Sequence, residues 1–186
     1  LLCAGGIALG AASLWELAEL ILDLFSWGGG LRPTLAISRL LALASSGALI
    51  YVGAGLLSGG GFARSLSVYT LPALWAAIGA VDCFLSSPTI ASISDQVLEV
   101  LALCMGAIFW LSHARFAAGG ELSFSSHRGR ASGLLFSLFA LPFSLGRMAS
   151  LLMGRTEEPI LLWGDLAALA LLGIYAFYWS FCFKRE

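Results

Sequence analysis

Carboxylates recur at helical spacing within apolar stretches of this sequence. Glu16, Glu19 and Asp23 are spaced i, i+3, i+7, which places them within about 60° of one another around an α-helix. Asp95 and Glu99 are spaced i, i+4 and also share one helix face. Carboxylates grouped in this way can bind a cation, pair with arginines, or transfer protons as general acids and bases.

Two arginines and a third aspartate lie in equally apolar surroundings. A charge that faces lipid at mid-depth costs about 2.5 to 3.5 kcal/mol on insertion scales. We therefore expect these side chains to face the interior of a helix bundle and to form an acidic vestibule with the arginines at its floor. Ion pairs that only hold the helices together are an equally favoured alternative. The predicted solute-binding residues are Glu16, Glu19, Arg39, Glu99, Arg147 and Asp165.

The sequence lacks the motifs of common hydrolases, metalloenzymes and nucleotide-binding proteins. The HExxH, GxSxG and P-loop patterns are absent, and the four cysteines are scattered singly. We expect His113 at the membrane surface, on the side opposite the carboxylates. The sequence thus predicts no catalytic residue, no metal site and no cofactor, and an enzyme is the less favoured function.

The amino-acid composition indicates which class of protein contains these charged residues. Of the 186 residues, 59% are hydrophobic and 11% are charged, and the mean hydropathy is +0.92. Soluble domains carry about 25% charged residues. A soluble domain, a disordered chain and a nucleic-acid binder are therefore excluded, and the lipid bilayer is the expected surrounding.

Apolar stretches separated by glycine, serine and proline predict transmembrane helices, each of which takes about 20 residues. The sequence predicts an all-α, polytopic integral membrane protein, a bundle of about six transmembrane helices in a single domain, residues 1–186. Residues 117–133, rich in Ser, Gly and Arg, are predicted as the longest loop. The predicted spans are about 1–25, 34–57, 66–85, 93–116, 134–154 and 161–183.

Basic residues predict the orientation in the membrane. The side shared by the termini and the even-numbered loops carries six of them, and the other side carries three. By the positive-inside rule we expect a cell-membrane protein with both termini in the cytoplasm. The buried charges then lie in the outer half of the bilayer. The residues compared are Arg64, Arg115, Arg128, Arg130, Lys184 and Arg185 against Arg32, Arg39 and Arg155.

Small residues repeat at four-residue spacing on the first span, at Gly6, Ala8, Gly10 and Ala12. Such faces let helices approach closely, either within the chain or against a second membrane subunit. Two functions remain open. One is a solute-binding or transport component with an acidic, outward-facing vestibule, whose small solute the sequence does not identify. The alternative is a structural or signalling subunit that docks a partner through small-residue helix faces.

Overall fold

The chain forms a bundle of long, apolar helices. The structure is a computed structural model, and it describes residues 1–27, 33–58, 66–85, 93–117, 122–153 and 162–182. In these ranges there are six helices and no strand, and each helix is long and apolar enough to span a membrane. The prediction of an all-α, multi-pass membrane protein is thereby confirmed. The helices are α1 (Leu2–Trp27), α2 (Pro33–Leu57), α3 (Leu66–Leu85), α4 (Ile93–Ala117), α5 (Leu122–Leu152) and α6 (Leu162–Cys182).

The helices are arranged as a ring. Each packs against the helices before and after it in the chain, and α1 closes the ring against α6. Neighbours run antiparallel. A Cβ at Gly53, near the end of α2, would lie 2.9 Å from the backbone nitrogen of Cys3 at the start of α1. A Cβ at Gly164, near the start of α6, would lie 2.8 Å from the Cβ of Ala12, near the middle of α1.

Small residues allow α1 to approach both of its neighbours. A Cβ at Gly6 would lie 3.0 Å from the carbonyl oxygen of Ser46 on α2, and Gly10 also packs against Ser46. On the other side, Ala8 and Ala12 contact Gly164 of α6. The face predicted as a candidate for docking a partner therefore forms contacts within the chain.

Helix α5 differs from its predicted span. It begins at Leu122 rather than near residue 134, so much of the predicted loop is helical. Gly129, within the predicted loop, is instead a point of close packing, since a Cβ there would lie 3.0 Å from the Trp179 ring of α6. Arg130 supports this extension because its Nε donates to the carbonyl oxygen of Ser180 at 3.1 Å, near the C-terminal end of α6. A cation at that end also interacts favourably with the helix dipole.

The interior of the ring differs between its two ends. We call the end where α1, α3 and α5 finish and α2, α4 and α6 begin the charged end, and the opposite end the aromatic end. Glu99 at the charged end and His113 at the aromatic end are 14 residues apart on α4, about 21 Å at 1.5 Å per residue. Buried side chains from all six helices form one hydrophobic core between and around these groups.

Candidate functional site

Arg39 joins three helices at the charged end. It lies near the start of α2, and its Nη1 is 2.7 Å from Oδ2 of Asp165 in the first turn of α6. Its Nε forms an ion pair with Glu16 of α1. Helices α2 and α6 both flank α1, so a guanidinium that extends from α2 along the interior can reach carboxylates on α1 and α6. The planar fork of arginine suits this geometry because different nitrogens of the group face the two carboxylates, and Nη1 donates a hydrogen bond to Asp165.

These three side chains are largely withdrawn from the surface. The relative exposures of Arg39, Glu16 and Asp165 are 19%, 21% and 20%. The second carboxylate oxygen of Asp165, Oδ1, is fully buried and accepts no hydrogen bond from the described part of the chain. Asp165 also lies at the N-terminus of α6, where the helix dipole favours an anion. The site thus contains a buried acceptor that is open to a donor from elsewhere.

Glu99 links the other side of the ring to this group. The thiol of Cys83 on α3 donates a hydrogen bond to its carboxylate. Glu99 also interacts electrostatically with Arg147 of α5 and, across the ring, with Arg39 and Asp165. The α3–α4 contact is fixed nearby, because Gln96 donates from Nε2 to the carbonyl oxygen of Cys83 at 2.6 Å.

Asp82 completes the cluster, since it interacts electrostatically with both Glu16 and Arg39. Each helix of the ring therefore contributes one charged side chain at comparable height, and together we call them the charged cluster. When all six are ionised, four carboxylates against two guanidiniums leave two negative charges in excess. The members are Glu16 of α1, Arg39 of α2, Asp82 of α3, Glu99 of α4, Arg147 of α5 and Asp165 of α6.

The structure brings together five of the six residues singled out from the sequence, and Glu19 is the exception. Glu19 is exposed on α1, where its carboxylate accepts a hydrogen bond of 2.8 Å from Nε1 of Trp15. It still interacts electrostatically with Glu16, but its side chain lies on the outer surface of the ring. The side chains of Asp23 and Asp95 lie outside the described residues.

Sequence reasoning missed two features of the interior. No sequence motif singled out Cys83, and only the fold places its thiol against Glu99 on the next helix. The expected position of His113 at the membrane surface is wrong, because the side chain is completely buried at the aromatic end. Its i, i+4 spacing from Phe109, whose ring lies 5.7 Å away, was a signal for an inward-facing aromatic stripe.

The donor set of the cluster suits ionic hydrogen bonding more than metal ligation. Among the side chains that the structure describes, no group of three or more His, Cys, Asp or Glu is placed to hold a metal ion. Carboxylates in a low-dielectric interior bind ammonium and guanidinium donors through short, charge-assisted hydrogen bonds. The arrangement can therefore hold a positively charged group between helices.

Comparisons with protein-family models, with curated proteins and with solved structures found no match to this chain.

Proposed function

We propose that this multi-pass membrane protein binds a small cation or cationic organic solute in the charged cluster, as a solute-binding or transport component. The observation that carries the proposal is the excess of carboxylates over guanidiniums inside the ring, together with the buried Oδ1 of Asp165 that no described group satisfies. A cation that reaches this site offsets the excess charge and supplies the missing donor.

An organic amine fits this chemistry well. An ammonium group carries three donors and no acceptor, so it can contact Asp165 Oδ1 and a neighbouring carboxylate such as Glu16 together. The apolar helix faces around the cluster would receive the hydrocarbon part of such a solute. Arg147, beside Glu99, would then limit the positive charge that the site accepts.

We further propose that the site faces the outside of the cell. This orientation rests on the predominance of basic residues in the even-numbered loops, in the helix ends beside them and at the C-terminus, which favours cytoplasmic termini. The charged end, which is opposite the termini, would then open to the extracytoplasmic side.

Ligand-induced thermal stabilisation of the purified protein tests this proposal. A ligand that binds only the folded state raises the melting temperature with its concentration. We expect a shift with a member of a panel of Na⁺, K⁺, alkylamines and polyamines, and loss of that shift in Glu16→Gln and Asp165→Asn.

The matched control is Glu19→Gln, which removes a carboxylate from the same helix but on its exposed face. We expect this variant to keep the shift. The proposal fails when no member of the panel stabilises the protein, or when Glu16→Gln responds like Glu19→Gln. Stoichiometric co-purification of a membrane partner without any ligand response would favour the structural or signalling subunit instead.

A further inference from the structure

The aromatic end of the ring is filled by rings that surround His113. Its ring centroid lies 5.1 Å from those of Tyr69 on α3 and Trp179 on α6, and 5.8 Å from that of Trp110 on α4. His113 itself is 0% exposed. The rings come from helices on different sides of the bundle, so this end of the interior is closed by side chains. We call the group the aromatic cluster, and its members are Tyr69, Phe109, Trp110, His113, Tyr175 and Trp179.

One ring pair crosses the interior directly. Trp110 of α4 stacks on Tyr175 of α6 with a centroid separation of 6.1 Å and 8° between the ring planes. Helices α4 and α6 both pack against α5 in the ring, so these side chains meet inside it. Leu9 of α1 and Leu49 of α2, at 0% and 2% exposure, belong to the same buried core as these rings.

We propose that the aromatic cluster is a seal, and that it leaves the charged cluster accessible from one side of the membrane only. Rings that stack across the interior and are at most 8% exposed leave no path for a hydrated ion. The inference deepens the proposed function, because it states from which side the solute arrives and which residues must move for it to pass through.

Two polar atoms indicate that the seal is built to open. Trp110 Nε1 and Tyr175 Oη are buried, and neither has a hydrogen-bond partner within the described ranges. An unsatisfied buried donor destabilises the state that buries it. Water or solute that enters an open interior would form hydrogen bonds with both groups. The closed state is therefore less stable, relative to the open state, than it would be with apolar side chains of the same shape.

The native Cys83 reports access to the charged cluster, since its thiol contacts Glu99. Cys3, Cys104 and Cys182 are first replaced by alanine. A membrane-impermeant, cationic methanethiosulfonate reagent is then added to sealed vesicles of right-side-out and of inside-out orientation. We expect Cys83 to be labelled in one orientation and not in the other. Labelling in both, or in neither, would overturn the seal.

Variants of the aromatic cluster test whether its rings are responsible for the one-sided labelling. Phe109→Ala opens the packed rings and should add labelling from the closed side, whereas Phe177→Ala, a half-exposed phenylalanine on α6, should not. Tyr175→Phe removes the unpartnered hydroxyl and keeps the ring, so it should raise the melting temperature and leave labelling one-sided. A lower melting temperature in Tyr175→Phe would contradict the argument, and this variant is useful should Phe109→Ala fold poorly.

The labelling experiment does not depend on any ligand. One-sided access without a thermal shift for any cation would refute the proposed function and leave the seal intact. A cation-dependent shift combined with labelling from both sides would do the reverse.

Discussion

Replacement of Arg39 by methionine is the most direct perturbation of the charged cluster. The change keeps much of the apolar stem and removes the guanidinium that pairs with Glu16 and, at 2.7 Å, with Asp165. Two carboxylates are then left near each other without a cation between them. We expect a large loss of stability, because an unpaired charge in the interior is far more costly than the pair is stabilising.

The magnitude follows from the burial of the three side chains. Removal of one partner from a fully buried ion pair costs about 3–5 kcal/mol. Since these side chains retain exposures of 19–21%, and a stranded carboxylate can take up a proton, the lower end of the range applies, about 3 kcal/mol.

The assay is reversible unfolding in detergent micelles, supported by melting temperatures, with Arg115→Met as the control. Arg115 is exposed in the last turn of α4, where its loss should cost about 0.3–1 kcal/mol through the helix dipole. Adding Glu16→Gln and Asp165→Asn to Arg39→Met should restore much of the lost stability, since no stranded charge remains. The reasoning is refuted when Arg39→Met loses no more stability than Arg115→Met.

Three further predictions concern packing, helix ends and orientation. Gly6→Leu should destabilise the protein by about 1–3 kcal/mol through overpacking, because a Cβ at Gly6 would already lie 3.0 Å from a backbone oxygen of α2. Gly47→Leu is the control, since a Cβ at Gly47 has nothing within 4 Å, and it should be near neutral in the same unfolding assay. Arg130→Gln should lower stability by about 0.5–2 kcal/mol, because it removes a hydrogen bond and a positive charge from the C-terminal end of α6. Arg130→Lys keeps the charge and should lose less stability. Equal losses in the two variants would show that the charge does not contribute. A reporter fused to the C-terminus should be active only on the cytoplasmic side, and activity outside would reverse the proposed orientation.

The sequence was sufficient to predict the number of spans and the height of the charges. Bilayer thickness fixes the length of an apolar helix, and alternation of direction then places Arg39 near the start of one helix level with Glu16 late in another. The high cost of a charge in lipid directs both toward the interior. Hydropathy and chain order accordingly predicted that the two residues lie at similar depth, whereas the ion pair between them is a finding of the structure.

Rotation of each helix about its axis was much harder to predict. In soluble proteins an apolar stripe identifies the buried face, but here both the lipid-facing and the interior surfaces are apolar. Glu19, only three residues from Glu16, illustrates the difficulty because it lies on the outside. His113 shows the converse error, since a polar side chain near a helix end is buried among aromatic rings.

Stability alone gives a poor account of the charged cluster. Apolar residues of similar volume would join the same helices without the desolvation of six charged groups, and such replacements of buried ion pairs are often neutral or stabilising. The excess of carboxylates and the unsatisfied Oδ1 of Asp165 further reduce what the cluster contributes to the stability of the fold. We therefore expect a variant with methionine at positions 16, 39 and 165 to fold with at least native stability and to lose every cation-dependent thermal shift. Loss of folding in that variant would instead assign the cluster to structure, because the ionic contacts themselves would then be what holds the ring together.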